Sequence, residues 1–190
     1  KSTSDTKTGG SRNHLFAELD INLAPDENFD SNLSLKIQRS SNDTYFRVHN
    51  IKTALVDYNN TDLNNVLNYS FAKNDMYLNL SASVYENLRE ETNKRYEYVL
   101  PNILYGKSFF TESFGTLNFK SNAVYRNYDV NKHTHILTND IVWSPTNSIT
   151  KKGFINTLEA MVKNTNYQAD NTTDYKNDGT VNELSSVLSF

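Results

Sequence analysis

Residues 76–85, Met-Tyr-Leu-Asn-Leu-Ser-Ala-Ser-Val-Tyr, alternate between apolar side chains and polar or aromatic ones. Every second residue from Met76 to Val84 is apolar, and the residues between them are Tyr, Asn or Ser. Successive side chains of a β-strand point to opposite faces, so this period of two predicts a strand with one apolar and one polar face. Helical spacing, with apolar residues three or four positions apart, does not fit the stretch.

The same period of two recurs along the chain. Leu15, Leu19 and Leu23 belong to a run in which every odd position is apolar. Polar segments suited to turns separate such runs, as at Lys73-Asn74-Asp75. The sequence therefore predicts an all-β fold, an antiparallel up-and-down meander of about nine long strands. These predicted strands lie near 15–23, 33–38, 62–72, 76–85, 95–105, 114–128, 133–143, 153–166 and 180–190.

Residues 41–61 interrupt this rhythm. The apolar residues from Ile51 to Val56 do not alternate cleanly, which argues against a strand. We predict one long loop here, with a turn of helix around Thr44 to Val48.

Composition excludes several classes of function. The 19 Lys and Arg residues against 22 Asp and Glu residues give a net charge of -3, and the cations are scattered singly along the chain. Nucleic-acid binding is therefore not expected, because it needs a basic patch. The chain has no Cys, which removes disulfides and thiolate chemistry. No apolar run approaches the roughly 20 residues that a membrane-spanning helix needs.

Strand length points to a membrane. The predicted strands reach about 10 to 14 residues, longer than the usual five or six of soluble sheets, and a tilted bilayer crossing needs about 9 to 11. In a transmembrane barrel the apolar residues face lipid, the polar residues face a wet lumen, and aromatic residues form girdles at the two interfaces. A soluble antiparallel sandwich is the alternative, since its strands alternate in the same way. Candidate girdle residues near strand ends are Tyr85, Tyr125, Tyr128, Trp143 and Tyr167.

Two sets of residues follow from the barrel interpretation. The lumen-facing set consists of polar residues that would hydrogen-bond to water, a saccharide or a plug protein: Asn79, Ser81, Ser83, Asn118, Lys120 and Asn122. The lipid-facing set consists of apolar residues that would hold the wall in the bilayer: Leu19, Ile21, Met76, Leu78, Leu80 and Val84.

Several short motifs resemble one protein family. Ser41-Asn42-Asp43-Thr44-Tyr45-Phe46-Arg47 is similar to an S-D-x-[ST]-[YF]-[LF]-R element of the LptD family of outer-membrane LPS-assembly proteins, also called organic solvent tolerance proteins. Arg95 to Pro101 resembles the family element that enters a later strand, and the similarity covers roughly residues 30 to 165. The other matching segments follow in the family's order: Tyr85 to Leu88, Gly115 to Phe119, Tyr125-Arg126, and Trp143-Ser144-Pro145 followed by Gly153.

This resemblance implies a function in lipopolysaccharide transport. Members of the family carry a periplasmic domain that receives LPS through the Lpt bridge components, followed by a very large outer-membrane barrel plugged by the lipoprotein LptE. Residues 1–190 would then be part of a single transmembrane β-barrel domain, an incomplete slice of the barrel without the periplasmic domain and the barrel-closing strands. The expected location is the outer membrane of a Gram-negative bacterium, with outer-membrane lipid, LPS and LptE as partners.

Enzymatic, metal and cofactor chemistry have little support in the sequence. His133 and His135 lie two residues apart on one strand face, but no third ligand has suitable spacing for a metal site. The loop 170–179 is rich in oxygen ligands, yet it lacks the bidentate Glu of a calcium loop. No Gly-x-Ser-x-Gly motif occurs. We therefore predict a non-enzymatic wall segment without metal or cofactor.

Two other functions stay open at the level of sequence. A self-standing porin or adhesin barrel would close on itself and conduct unaided. A soluble β-sandwich that binds carbohydrate through exposed Tyr and Trp would dissolve without detergent.

Overall fold

A computed structural model describes residues 3–5, 10–23, 29–90, 93–175 and 179–190. Nine antiparallel strands form one sheet whose spatial order follows the chain order, apart from a small hairpin between the seventh and eighth of them. These strands are β3 (His14–Asn22), β4 (Asp30–Ser40), β5 (Asp62–Lys73), β6 (Met76–Asn87), β7 (Tyr96–Thr111), β8 (Gly115–Tyr128), β9 (Lys132–Ser144), β12 (Glu159–Asp170) and β13 (Gly179–Ser189). The predicted all-β meander of nine strands is confirmed.

The sheet is open in the part of the chain that the structure describes. Strands β3 and β13 form its two edges and are not paired with each other. Two separate two-stranded hairpins accompany it, β1 (Thr3–Asp5) with β2 (Gly10–Arg12) and β10 (Ser148–Ile149) with β11 (Ile155–Asn156). Within the described residues, no helix is both long and apolar enough to cross a membrane.

The strand predicted at 153–166 is wrong at its start. Residues 155–156 pair with 148–149 instead of joining the large sheet, and the sheet strand runs from Glu159 to Asp170. Gly153 ends the turn of the small hairpin with a φ of 84°, a conformation that glycine adopts at little cost. The chain therefore reverses before it enters β12.

One proline shifts the register on both sides of β7. Two residues, Leu100 and Pro101, occupy the space that a single residue fills on each neighbouring strand, Ala82 on β6 and Tyr125 on β8. Proline has no backbone N–H to donate to a ladder, so a bulge is where a sheet tolerates it. The bulge changes which residues of β7 face each side of the sheet.

The buried core of the described residues lies beside the sheet, at the end where residues 41–61 leave β4. This segment, hereafter the rim insertion, contains the predicted turn of helix, α1 (Tyr45–Val48). Phe46 and Tyr45 pack with apolar residues of β5 and of the loop after β6. The fully or almost fully buried members of this cluster are Tyr45, Phe46, Val56, Leu63 and Leu88.

The rim insertion is held where β4 and β5 separate. Their pairing stops at Lys36 and Val66, although β4 continues to Ser40. Buried Gln38 fills the gap: its backbone N–H donates to Asn65 Oδ1, its Oε1 accepts from the Asn64 N–H, and its Nε2 donates to the Leu55 carbonyl. These bonds satisfy backbone groups that would otherwise be buried without partners.

Replacing Phe46 by Ala tests whether this cluster anchors the rim insertion. Phe46 is 1% exposed, and deleting a buried Phe side chain costs about 3–5 kcal/mol. We expect Phe46→Ala to lower the free energy of unfolding by that amount and to make residues 41–61 sensitive to limited proteolysis. Phe110→Ala is the matched control, because Phe110 is 70% exposed. Equal effects of the two substitutions would contradict the packing described here.

Candidate functional site

The residues predicted to face a lumen lie on one face of the sheet, which we call the polar face. Asn79 and Asn122 both pair with Leu104, so they occupy one row across three strands. Ser81 pairs with Asn102 in the neighbouring row. The antiparallel register therefore gathers side chains that are 43 residues apart in sequence, because partners in register point to the same side of a sheet.

The other three predicted lumen residues have different surroundings on this face. Ser83 is only 6% exposed, so a ligand in solution does not reach it in this structure. Asn118 Oδ1 accepts a hydrogen bond of 2.6 Å from the Ser108 hydroxyl. Lys120 lies opposite Asp140 on β9, which places opposite charges side by side.

A cavity of about 420 Å³ opens on the polar face near the β5–β6 turn. Asn79 lies in its wall together with Tyr77, and Asn32 in the same wall donates a hydrogen bond to Asp20. Amide, hydroxyl and carboxylate groups beside an aromatic ring offer both hydrogen bonds and an apolar platform. Such a surface suits a hydroxyl-rich ligand. The residues that line the cavity are Asn22, Asp30, Ser31, Asn32, Ser70, Phe71, Ala72, Tyr77, Leu78, Asn79 and Leu104.

The Tyr77 ring is positioned by a glycine on the next strand. Tyr77 pairs with Gly106, and a Cβ atom added to Gly106 would lie 2.3 Å from the ring. Only glycine lets the ring lie this close to the β7 backbone. The alternation of residues 76–85 predicts that Tyr77 lies on the polar side of β6, but it carries no signal for this contact.

A charged cluster joins the rim insertion to the β6–β7 connection. Arg95 Nη2 lies 2.5 Å from Asp43 Oδ1, and Arg95 Nε donates to Glu86 Oε1 at 2.7 Å. The Tyr96 hydroxyl donates to the same Glu86 oxygen at 3.1 Å. Hydrogen bonds to Asp43, and then those to Glu86, raise the pKa of Arg95 above its ordinary value. The guanidinium therefore keeps its charge and connects segments 52 residues apart in sequence.

Arg95 also connects the two segments that carried most of the family resemblance. Asp43 belongs to the 41–47 motif and Arg95 opens the 95–101 motif. In the same 41–47 motif, Tyr45 and Phe46 supply the buried aromatic rings of the rim insertion. The sequence contained both motifs, but only the folded chain brings them into contact.

The predicted lipid-facing residues lie on the opposite side of the sheet, the apolar face. Leu19 pairs with Leu35 and Ile21 pairs with Leu33, which links these positions to β4. On β6, apolar residues from Met76 to Val84 form one column. Leu80, at the middle of this column, is 37% exposed, so the face offers apolar surface to its surroundings.

The apolar residues form a band that is oblique to the rows of the sheet. The hydrogen-bonded pair Ser121 and Asn139 interrupts it on β8 and β9. One row of register partners runs across all nine strands. It begins at Ile21 and passes through Leu33, Tyr69, Leu80, Ile103, Ala123, Leu137 and Asn166 to Asn182. The row therefore starts inside the apolar band and ends outside it.

The angle between the apolar band and the rows of the sheet is close to the angle by which the strands of a membrane barrel tilt from the barrel axis. On β3 the row passes through Ile21, and the apolar run is centred two residues away, on Leu19. On β13 the row passes through Asn182, and the run Leu184–Leu188 is centred four residues away in the opposite direction. Six residues amount to roughly 20 Å along the strands, and eight strand spacings to roughly 38 Å across them. The band therefore slopes at about 30°, close to the strand tilt of membrane barrels, about 35–45°.

The aromatic girdle predicted from strand ends is only partly on the apolar face. Tyr125 and Trp143 lie there, each near the C-terminal end of its strand. Because β8 and β9 are antiparallel, the two rings lie at opposite ends of the sheet along the strand direction. Tyr85 and Tyr167 lie on the polar face, in the alternation that carries Ser83 and Thr165. Tyr128 also lies on the polar side, where its ring contacts the Arg126 guanidinium at 4.0 Å. The face that an aromatic side chain occupies is set by the two-residue alternation of its strand, and nearness to a strand end does not change it.

The histidine pair and the acidic loop engage neighbouring side chains. His135 packs edge-on against the Tyr125 ring at 4.4 Å, and His133 Nδ1 lies 3.4 Å from the Tyr125 hydroxyl. In the described part of loop 170–179, the Tyr128 hydroxyl donates to Asp174, which lowers the pKa of that carboxyl. The described residues contain no group of three His, Cys, Asp or Glu side chains placed to hold a metal ion.

No protein-family model matches the chain, and no curated protein matches it either.

Substitutions around Arg95 will show which of its two partners stabilises the rim. The Glu86 side chain is 9% exposed and that of Asp43 is 48% exposed. Removing one charge from a largely buried pair costs about 3 kcal/mol or more, whereas exposed pairs contribute about 0–1 kcal/mol. We therefore expect Glu86→Gln to lower the free energy of unfolding by about 3 kcal/mol, and Asp43→Asn by less than about 1 kcal/mol.

The control for this pair is Lys52→Gln, which breaks the exposed ion pair of Lys52 with Asp57. We expect it to leave the urea midpoint almost unchanged. A larger loss of stability in Asp43→Asn than in Glu86→Gln would contradict the expectation that the more buried carboxylate, Glu86, contributes more to stability.

Proposed function

We propose that this chain forms part of the wall of an outer-membrane β-barrel, and that the barrel is a lipopolysaccharide translocon of the LptD type. The observation that carries the membrane proposal is the oblique apolar band. A single flat bilayer crossed by tilted strands requires such an offset between the apolar residues and the rows of the sheet. The column from Met76 to Val84 is roughly 26 Å long, which gives a height close to the roughly 25 Å of a barrel's apolar band.

The LPS proposal rests on the motifs and on the chemistry of the polar face. The ordered motifs resemble the LptD family, and the ion pair of Arg95 with Asp43 joins two of them. The polar-face cavity beside Tyr77 offers amides and an aromatic ring, groups that suit saccharide hydroxyls and ring carbons. In this function the chain acts without catalysis. It would line a lumen that holds an LptE-like lipoprotein plug and passes LPS received through periplasmic Lpt bridge components.

Lysine substitutions at two positions of one row test the membrane proposal. Leu80 and Asn166 belong to the same row and face, but only Leu80 lies inside the apolar band. Lys on the lipid face costs about 2–4 kcal/mol at the bilayer midplane and about 0–1 kcal/mol near the interfaces. We expect Leu80→Lys to lower the stability of the full chain in lipid vesicles by about 2–4 kcal/mol, and Asn166→Lys by less than about 1 kcal/mol.

Equal costs at the two positions would remove the argument from the oblique band. Retained solubility of the full chain without detergent would favour the β-sandwich instead.

Site-specific photo-crosslinking in cells tests the LPS proposal. A photoreactive amino acid placed at Asn79, Asn118 or Lys120 should form adducts with LPS or with a small lipoprotein, because these side chains lie on the polar face. The same amino acid at Leu78 or Leu80 should form neither adduct. A folded barrel without any adduct from the three polar-face sites would favour an ordinary porin or adhesin.

A further inference from the structure

A second cavity, of about 330 Å³, lies on the apolar face between β8, β9 and β12. It is on the other side of the sheet from the cavity beside Tyr77, and no step of the proposed transport function uses it. The residues that line it are Pro101, Ala123, Val124, Tyr125, His135, Ile136, Leu137, Asn166, Tyr167, Gln168 and Thr180.

Small and apolar residues form one part of this cavity. Pro101, at the β7 bulge, borders a gap together with Ala123, whose side chain is only a methyl group. Leu137 pairs with Ala123 and continues the apolar surface onto β9. The Tyr125 ring stands at the side of the gap, held by its edge-on contact with His135. This part of the cavity suits a hydrocarbon chain or the face of a sugar ring that carries its C–H groups.

Hydrogen-bonding groups form the other part. Asn166, Gln168 and Thr180 line the cavity from β12 and β13. Asn166 Nδ2 donates to Asn164 Oδ1 at 2.5 Å, and Asn164 Nδ2 donates to Asn182 Oδ1 at 2.9 Å. The cavity edge thus belongs to a network of side-chain amides, which orients polar groups before a ligand arrives.

One border of the apolar band runs through this cavity. Ala123 and Leu137 belong to the apolar runs of β8 and β9. The apolar run of β12 ends at Val162, before the strand reaches Asn166 and Gln168. The polar part of the cavity therefore lies at the level where lipid headgroups begin, on the same side as the rim insertion. A cavity with this division complements a molecule that has a hydrocarbon part and a polar head.

The lining also indicates which headgroup fits. None of the eleven residues lining the cavity is Lys, Arg, Asp or Glu, and its one histidine, His135, packs against the Tyr125 ring. Recognition of a phosphate would call for a cation such as Arg or Lys. Amides, a hydroxyl and an aromatic ring instead match a headgroup that is uncharged and rich in hydroxyl groups.

We infer that this cavity binds one lipid with a neutral, hydroxyl-rich headgroup, such as a glycosyl lipid, on the outer surface of the barrel wall. The inference rests on the proposed function only in requiring that the apolar face meets a bilayer. Tyr125 would pack against the sugar ring, Asn166 and Gln168 would hydrogen-bond to its hydroxyl groups, and the acyl chains would follow Ala123 and Leu137 into the apolar band.

Native mass spectrometry of the full chain tests the inference. The protein is purified in lauryldimethylamine oxide, which carries no sugar, and mixed with diglucosyl diacylglycerol or with phosphatidylglycerol of the same acyl chains. We expect selective retention of the diglucosyl lipid. Loss of one aromatic contact corresponds to a change of up to about tenfold in affinity, so Tyr125→Ala should weaken its binding by about that factor. Asn166→Leu should weaken it as well.

Two control variants keep the test specific. Tyr69→Ala removes a tyrosine from the same face outside the cavity, and Asn127→Leu removes an amide from β8 outside the cavity. We expect either control to change binding by less than about twofold, a difference well under 1 kcal/mol on the affinity scale. Circular dichroism of each variant confirms that the barrel is folded.

Preferential retention of phosphatidylglycerol, or equal binding in Tyr125→Ala and the wild type, would overturn the inference. These outcomes differ from failure of the proposed function. If Leu80→Lys is costly while no selective lipid binding occurs, the wall spans a bilayer and only the cavity inference fails. If Leu80→Lys and Asn166→Lys cost the same, the membrane proposal itself fails.

Discussion

Pairing of every inner strand with two neighbours is the constraint on which the rest of this structure depends. Once β6 is hydrogen-bonded to β5 and β7, its period of two fixes which side chains share a face with those of the next strands. The register then gathers residues from distant parts of the chain, as it does for Asn79 and Asn122. A slip by one residue would exchange the two faces, so the alternation in each strand also protects the register.

Packing outside the sheet closes the region where this pairing fails. Between β4 and β5 the ladder ends early, and the rim insertion supplies both the apolar cluster around Phe46 and the partners of buried Gln38. Arg95 adds an electrostatic connection from the insertion to the β6–β7 loop. Apolar burial, amide hydrogen bonds and an ion pair therefore act together on one end of the sheet.

The two cavities give the faces of the sheet different chemistry. The cavity beside Tyr77 lies among polar residues and suits a hydroxyl-rich molecule. The cavity beside Tyr125 lies where the apolar band meets an amide network and suits a lipid with an uncharged head. A local departure from regular strand packing accompanies each cavity. Gly106 admits the Tyr77 ring, and Pro101 at the β7 bulge lines the cavity beside Tyr125.

The sequence by itself determined the number of sheet strands, their antiparallel order, the helical turn in residues 41–61 and the separation of Leu80 from Asn79, because the two-residue period is a local property. The tertiary structure decided what depends on distant partners: the small hairpin that delays β12, the contact of Arg95 with Asp43, and the slope of the apolar band. Register between strands sets that slope, and no single segment carries the information.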